Sequence, residues 1–405
     1  MFACSLHDTH FLKKSLDSTA GIRYNKPRTI AQNVQYCQKH QSVLLKHALL
    51  KRRIYMEVYR IHMGKAKCAV DLGDGSERGE YVDQDYILAK MGRPHRSISL
   101  MYCYYPLDEG WPGRASVVHA SPDVSFAWDY PYDDYFTYKG GLGGSTDGEP
   151  FNYMREIRQH GQDVSLTLTI DPHVSDEHLA AIGEDLKSFG RVFLRINHEA
   201  TGNWFSFNKR CTYQEVADFF VRASRIIKEH APNVQTIICI GGIEDLSKEE
   251  MEKEAEFAQT IPAADIWSVD KYMALHWGWP YDVAEHGGTT HSRGTVADTY
   301  EKTKRSFERF RYLNGGVEKP MTMAEFNADG DVTGPYEQAD MVKEFCDTLE
   351  REQADWFSAF TFYQFRDRGR LGLEIEDPNN ANVGIAQPVL DTYKEIIQRD
   401  WFRPQ

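Results

Sequence analysis

Two glutamates, each at the end of an apolar run, are the residues of this sequence best suited to chemistry. Glu199 ends the segment RVFLRINHE, and Glu325 ends the segment KPMTMAE. The first run has the β-branched and aromatic character of a buried strand, and the second is a short apolar stretch, so each carboxylate is expected where a strand ends. Two carboxylates at one edge of a sheet can act as an acid/base and a nucleophile. The sequence therefore predicts a two-carboxylate site.

The elements that position these glutamates alternate along the chain as short apolar runs and longer amphipathic stretches, which is typical of parallel strands joined by crossover helices. We predict strands at residues 67–72, 97–104, 164–170, 192–196, 234–240, 266–272, 320–325 and 357–364. Helices are predicted at residues 177–189, 213–230, 248–260, 296–313 and 336–353. This series indicates an α/β fold, a (β/α)8 TIM barrel, in which Glu199 ends the fourth strand and Glu325 the seventh. An open doubly wound sheet is the alternative, but no glycine-rich phosphate loop follows the first strand.

The chain before the first strand predicts an N-terminal extension. Turn residues without a period run to about residue 27, and a helical spacing of apolar residues follows up to residue 62. No repeat, low-complexity tract or evident interdomain linker interrupts the series of strands and helices. We therefore predict an N-terminal arm and helical extension over residues 1–65 and one catalytic barrel over residues 66–405. The long interval between the second and third strands predicts a functional rim loop. Within it, the run Gly140–Ser145 is expected to be a flexible loop or hinge.

Charge and composition exclude several classes of partner. The formal net charge is −13, which would repel the phosphates of a nucleic acid or an anionic membrane. No apolar run approaches the roughly 18 residues that span a bilayer. The seven cysteines are scattered, which favours core thiols over disulfides or zinc. His198 and Glu199 do not form the metalloprotease motif, since Gly202 stands where its second histidine would be.

Aromatic residues concentrate in two loop-like stretches, 111–138 and 273–281, and the second contains Trp277. Flat apolar rings among polar residues are what sugar faces stack on, although the same rings can fix a long loop to the rim of a barrel. The N-terminus lacks the basic start and apolar centre of a secretory signal, which slightly favours a cytoplasmic protein. Secretion stays open, because a signal could have been removed.

Four segments resemble glycoside hydrolase family 26, a family of clan A barrels. RINHEATGNW (195–204) resembles its fourth-strand signature. In that signature three residues separate an arginine from a glutamate, the last of the three is a histidine, and glycine and tryptophan follow the glutamate. DIWSVDKY (265–272) resembles its sixth strand with a tyrosine, KPMTMAE its seventh with the nucleophile, and GQDVSLTLTID (161–171) its third. The similarity covers about residues 67–365 and does not include the N-terminal arm.

The resemblance implies a role for each matching residue. Glu199 would be the acid/base, Glu325 the nucleophile, and Tyr272 the hydrogen-bond partner that keeps the nucleophile ionised. His198 would orient the surroundings of the acid/base, and Arg195 would bind a carboxylate or strand-end oxygens. The residues expected to surround the sugar are Arg195, His198, Trp204, Tyr272, Asp171, Trp277, Tyr363 and Arg366.

The sequence departs from the family pattern in two places. The eighth strand has no tryptophan to lie under the sugar, so Tyr363 or Phe365 would take its place, followed by Arg366. The histidine of the third strand is expected near Asp171, but His173 stands two residues later. Substrate specificity depends on these positions.

The activity implied by the resemblance is retaining hydrolysis of a β-linked polysaccharide or oligosaccharide, with β-1,4-mannan or manno-oligosaccharides as the first choice and no metal or organic cofactor. β-1,3-Xylan and β-glucan are alternatives, as is a barrel that binds carbohydrate without cleaving it. Retention requires carboxyl groups about 5 to 5.5 Å apart, and inversion about 6.5 to 9.5 Å.

A lyase or aldolase would need a Schiff-base lysine, for which Lys271 is the candidate, although strand alternation directs it away from the face of Tyr272. The resembled enzymes are commonly secreted, and the sequence indicates no oligomeric state.

Overall fold

Eight parallel strands close into a barrel. In chain order they are β1 (Ala69–Gly73), β2 (Ser97–Tyr104), β3 (Asp163–Ile170), β4 (Val192–Ile196), β5 (Val234–Cys239), β6 (Ile266–His276), β8 (Met321–Ala328) and β9 (Phe357–Phe362). Each pairs with its neighbour in this order, and β9 pairs with β1 to complete the ring. A short strand β7 (His291–Arg293) pairs antiparallel with the end of β6. The predicted (β/α)8 TIM barrel is confirmed.

The computed structural model describes residues 67–73, 82–111, 136–202, 205–240, 248–276, 291–367 and 369–403. All of them belong to one compact unit, Tyr55–Gln405. The predicted N-terminal extension, residues 1–65, lies outside the described residues, so its structure stays a prediction. Among the described helices, none combines the length and apolar content that crossing a bilayer would require.

Helices cover the outside of the barrel. They are α1 (Gln84–Met91), α2 (Phe151–Gln159), α3 (Asp176–Leu186), α4 (Ser206–Arg210), α5 (Tyr213–His230), α6 (Lys248–Phe257), α7 (Thr260–Ala263), α8 (Val296–Leu313), α9 (Gly330–Thr333), α10 (Pro335–Arg351) and α11 (Pro388–Ile396). The sequence of α5 shows why such a helix forms. Thr212 and Glu215 make a reciprocal capping box at its start, and apolar residues at helical spacing bury one face against the barrel.

The strands are buried almost throughout because helices lie outside them and side chains fill the barrel inside. Every residue of β3 and of β8 is buried, as expected for a parallel sheet covered by helices. This packing fixes the register of neighbouring strands. The ends of β4, β6 and β8 are therefore held in a defined relation, and these are the strands that carry the predicted site.

The described part of the rim loop after β2 is fixed to its surroundings. Asp185 on α3 accepts hydrogen bonds from the Tyr138 hydroxyl at 3.0 Å and the Gly141 N–H at 2.6 Å. A Cβ atom at Gly140 or Gly141 would overlap neighbouring rings, including that of Tyr104. The run is a loop, as predicted, and its flexibility stays a prediction. Its glycines permit a close approach of the backbone to aromatic side chains.

A three-stranded sheet follows the last barrel strand and was not predicted from the sequence. It consists of β10 (Arg366–Asp367), β11 (Glu374–Asp377) and β12 (Asn380–Ala386), in that order. β10 pairs parallel with β11, and β11 pairs antiparallel with β12. The short addition stands at the end of β9, where the predicted sugar-binding residues Tyr363 and Arg366 occur.

Candidate active site

The backbone turns sharply where β4 ends, and this turn presents Glu199. Asn197 and Glu199 both have a φ of 48°, a left-handed conformation that is uncommon outside glycine and that clusters at functional sites. Asn197 suits the turn because its amide bonds back to β3, accepting from Ile170 N–H at 2.6 Å and donating to the Ile170 carbonyl at 3.1 Å. The Glu199 side chain stays partly exposed.

Both carboxylate oxygens of Glu325 are held by donors. The Tyr272 hydroxyl donates to Oε2 at 2.7 Å, and Nη2 of Arg195 donates to Oε1 at 2.6 Å. Glu325 is only 8% exposed, so these contacts act with little screening by solvent. Charge-assisted hydrogen bonds from two directions stabilise the anionic carboxylate and fix its orientation.

Arg195 is fully enclosed and connects three strands. Its Nε donates to Thr167 Oγ1 at 2.7 Å, and its Nη1 donates to Asp270 Oδ2 at 2.9 Å, in addition to the bond with Glu325. Burial alone would lower the pKa of Arg195, but the carboxylates of Asp270 and Glu325 raise it well above its ordinary value. The guanidinium therefore remains charged and is shared between two carboxylates.

Asp270 is the residue of this site that sequence reasoning missed. It lies on β6 two residues before Tyr272, and it is in register with Glu325 on β8. Burial raises the pKa of Asp270 to about 7, Arg195 opposes this shift, and Glu325 adds to it. The available signal was the strand period of two, since a residue two positions before Tyr272 shares its face.

His198 is buried beside these groups as a neutral imidazole. Burial and the nearby Arg195 lower the pKa of His198 well below its usual value. Its Nδ1 has no hydrogen-bond partner within the described part of the chain, and its ring packs on Phe205 with centroids 4.5 Å apart. A buried nitrogen without a partner is costly, so a hydroxyl-bearing ligand that reached it would be bound favourably.

Lys271 lies within electrostatic reach of Glu199. Burial lowers the pKa of Lys271 to about 8, Lys302 acts in the same direction, and Glu199 opposes both. The Glu199 carboxylate also acts on Cys239 at the end of β5. The Ala200 N–H donates to the carbonyl of Cys239, the last residue of β5, at 3.0 Å. The turn that carries Glu199 therefore lies beside the carboxyl end of β5, at the mouth of the barrel.

Asp171 ends β3 but its carboxylate is already engaged by protein groups. Oδ1 accepts from the backbone N–H of His173 at 3.0 Å and contacts its ring Nδ1 at 2.9 Å, and Oδ2 accepts from Arg210 at 3.3 Å. Arg210 also binds Asp108 in the rim loop at 3.0 and 2.9 Å and stacks on the Tyr105 ring. In this structure Asp171 therefore connects β3 to the rim loop.

The two aromatic candidates after β9 occupy different places. The Tyr363 ring meets the Tyr272 ring edge to face, with centroids 6.2 Å apart, whereas Phe365 is fully buried against Tyr86 on α1. Tyr363 is thus the aromatic residue brought to Tyr272, the hydrogen-bond partner of Glu325. The peptide bond between Tyr363 and Gln364 is cis.

Arg366 is placed in the three-stranded sheet. It is fully buried and binds Glu374 at 3.2 Å, and that carboxylate also pairs with Lys90 at 2.6 Å and with the Tyr86 hydroxyl. The place of Arg366 at the sugar stays a prediction. Trp204 and Trp277 lie outside the described residues. Among the described residues no cluster of three or more histidine, cysteine or acidic side chains could hold a metal ion.

The fold and the site define a (β/α)8 barrel with a carboxylate at the end of its fourth strand and another on its seventh. Solved structures that are similar to this chain include glycoside hydrolases. One is a glucosidase from Croceicoccus marinus, with 10% identity over 85% of this chain and 69% of that chain and a TM-score of 0.53. A family 51 α-L-arabinofuranosidase from Bifidobacterium longum has 10% identity over 84% and 74% and a TM-score of 0.50.

A family 26 β-mannanase from Bacteroides ovatus is also similar, with 11% identity over 87% of this chain and 94% of that chain and a TM-score of 0.48. Neighbours from families 26, 39 and 51 thus occur together, and no single family is singled out. At these identities the likeness shows the barrel fold. No protein-family model and no curated protein matches the chain.

Proposed function

We propose that this protein is a retaining glycoside hydrolase in which Glu325 is the nucleophile and Glu199 the acid/base. The observation that carries the proposal is the pair of donors on Glu325, one from Tyr272 and one from Arg195. A carboxylate that must attack an anomeric carbon has to be ionised and correctly oriented, and these contacts favour both. Glu199 stands at the same mouth of the barrel on a different strand.

The reaction has two steps. First, one oxygen of Glu325 attacks the anomeric carbon while Glu199 gives its proton to the glycosidic oxygen, which releases the aglycone and leaves a glycosyl ester on Glu325. Next, Glu199 accepts a proton from water as that water attacks the same carbon, and Glu325 leaves as a carboxylate. Arg195 and Tyr272 stabilise the charge that Glu325 regains, and the two inversions together retain the configuration.

The substrate proposed first is β-1,4-mannan or manno-oligosaccharide, and β-1,3-xylan and β-glucan are the alternatives. The support is the resemblance of residues 195–204 and 265–272 to glycoside hydrolase family 26. Two structural features suit a sugar at this place. The Nδ1 of His198, which has no hydrogen-bond partner among the described residues, can bind a sugar hydroxyl. The half-buried ring of Tyr363 offers an apolar face beside Tyr272.

The test is hydrolysis of β-1,4-mannan, β-1,3-xylan, mixed-linkage glucan and aryl β-glycosides, with the anomers of the products followed by NMR. Glu199→Ala and Glu325→Ala should each lose activity by roughly 10³-fold or more. Glu318→Ala is the matched control, because Glu318 is exposed and pairs only loosely with Arg311, at 3.5 Å.

Azide should distinguish the roles of the two glutamates. Added to Glu325→Ala it should give a glycosyl azide of inverted configuration, and added to Glu199→Ala a glycosyl azide of retained configuration. Cleavage of a β-glycoside to the α-anomer by the wild type would contradict the proposal. Binding of the glycans without any cleavage would instead identify a carbohydrate-binding barrel.

A further inference from the structure

Cys211 is a partly exposed cysteine outside the candidate active site. It lies in the short connection between α4 and α5, and the mechanism above assigns it no role. The other four cysteines among the described residues are buried. Within the described part of the chain, Cys211 is therefore the thiol that a dissolved reagent can reach.

The thiol of Cys211 stands beside an oriented imidazole. Its Sγ lies 3.8 Å from Nε2 of His173. On the other side of the ring, Nδ1 of His173 lies 2.9 Å from Oδ1 of Asp171, and the backbone N–H of His173 donates to the same oxygen at 3.0 Å. Because a carboxylate can only accept, Nδ1 carries a proton, and Nε2 keeps a lone pair that can accept the proton of the thiol.

A pocket of about 290 Å³ opens beside the sulfur. Cys211 and His173 line it together with Glu215, Asp218 and Arg222 of α5. Two carboxylates and one guanidinium make the surroundings of the sulfur net negative. A small molecule with a positive charge is therefore attracted to this pocket.

The ionisation of Cys211 shows why the imidazole matters. Burial raises the pKa of Cys211 to about 11, the carboxylates of Glu215 and Asp171 act in the same direction, and Arg210 opposes them. The sulfur therefore keeps its proton at neutral pH unless a base removes that proton as the sulfur reacts. A thiolate of high pKa is a strong nucleophile once it forms, and His173 is the base in contact with it.

We propose that Cys211, His173 and Asp171 form a reactive-thiol site at which a small amine-bearing disulfide leaves a mixed disulfide on Cys211. Sγ attacks one sulfur of the reagent, and the S–S bond of the reagent breaks as the new S–S bond forms. The thiol proton passes to Nε2 of His173 and then to the departing thiolate, which leaves as a thiol. Cys211 is oxidised and the departing half of the reagent is reduced, so no other oxidant takes part.

Peptide mass spectrometry of the full chain tests this reaction. The probe is cystamine, a disulfide with an ammonium group at each end. At neutral pH it should add one cysteamine unit to the peptide that contains Cys211, and dithiothreitol should remove that unit. Following this peptide alone separates Cys211 from every other cysteine. An unmodified Cys211 peptide, or added oxygen that dithiothreitol does not remove, would overturn the proposal.

The rate of modification tests the role of His173. The side chain of His173 is 59% exposed, so His173→Gln should keep the fold, and it should slow the reaction by roughly 10-fold or more through loss of the base. His230→Gln is the matched control, because His230 also contacts a carboxylate, that of Glu184 at 3.1 Å, but lies at the other end of α5. Equal rates for the wild type and His173→Gln would show that the imidazole does not activate the thiol and would refute the site.

Asp218→Asn tests the preference for a cationic reagent. It removes one negative charge from the lining, so the rate with cystamine should fall by about 2- to 5-fold, the range of an exposed ion pair. The rate with the neutral hydroxyethyl disulfide should stay the same. An equal change for both reagents would overturn the assignment of an amine-bearing partner. None of these measurements uses glycoside hydrolysis, so their outcome is independent of the proposed function.

Discussion

The contact between Tyr272 and Glu325 gives the sharpest prediction from this structure. Tyr272→Phe removes one hydroxyl that donates to Oε2 of Glu325 at 2.7 Å and keeps the ring that meets Tyr363. Hydrogen bonds to charged groups contribute about 1.5 to 3 kcal/mol, and each 1.4 kcal/mol corresponds to about a tenfold change in rate. We therefore expect turnover to fall by roughly 10- to 150-fold.

The loss should fall unequally on the two chemical steps. In the second step of the proposed mechanism, Glu325 leaves the sugar as a carboxylate, and the Tyr272 hydroxyl would stabilise the charge that it regains. An aryl β-glycoside with a good leaving group makes this second step rate-limiting. With such a substrate, Tyr272→Phe should show a burst of about one phenolate per enzyme followed by slow turnover, which rapid-mixing absorbance would record.

Tyr300→Phe is the matched control. Tyr300 is a buried tyrosine on α8 that packs against Trp356, so the removal of its hydroxyl should leave both steps within about twofold of the wild type. A decrease of less than about 3-fold in Tyr272→Phe, or an equal decrease in the control, would refute the argument that this hydrogen bond acts on the nucleophile.

Three further predictions concern ionisation and packing. Burial raises the pKa of Asp270 to about 7, so the folded chain binds this proton more tightly than the unfolded chain. The stability that protonated Asp270 contributes is present below about pH 4 and is lost as the pH rises through 7. The melting temperature of Asp270→Asn should therefore depend less on pH in this window than that of the wild type. Equal slopes of melting temperature against pH for the two proteins would contradict this prediction. Gly141→Ala should destabilise the protein by about 1 to 3 kcal/mol, because a Cβ would overlap the Tyr104 hydroxyl, whereas Gly143→Ala should cost about 1 kcal/mol or less in denaturant titrations, since it meets open space at a similar φ. Arg210→Met removes ion pairs to two rim carboxylates and should raise KM several-fold with kcat nearly unchanged; an unchanged KM would show that the rim loop does not bind substrate.

The strands and long helices could be predicted from the sequence because their signals are local. The predicted bounds of β2, β4, α5 and α8 agree with the structure. The strands are set by apolar runs, and the helices by a period of apolar residues and by N-caps. The strands β7 and β10 to β12 were missed, because their segments are polar or contain glycine and lack the apolar runs of the barrel strands. The end of β6 also extends four residues beyond the predicted Tyr272, since pairing with β7 continues it.

The sequence by itself determined the barrel, and it indicated Glu199, Glu325 and Tyr272 through strand-end position and motif. Only the tertiary structure decided which groups touch them. Arg195 meets Asp270 and Glu325 across separations of 75 and 130 residues, and those contacts exist because closure of the barrel sets the register of β4, β6 and β8. Asp171 and Arg366 illustrate the converse, since their partners Arg210 and Glu374 come from a following helix and an added sheet. Periodicity is a local property of a chain, whereas the partner of a buried charge depends on how the whole barrel closes.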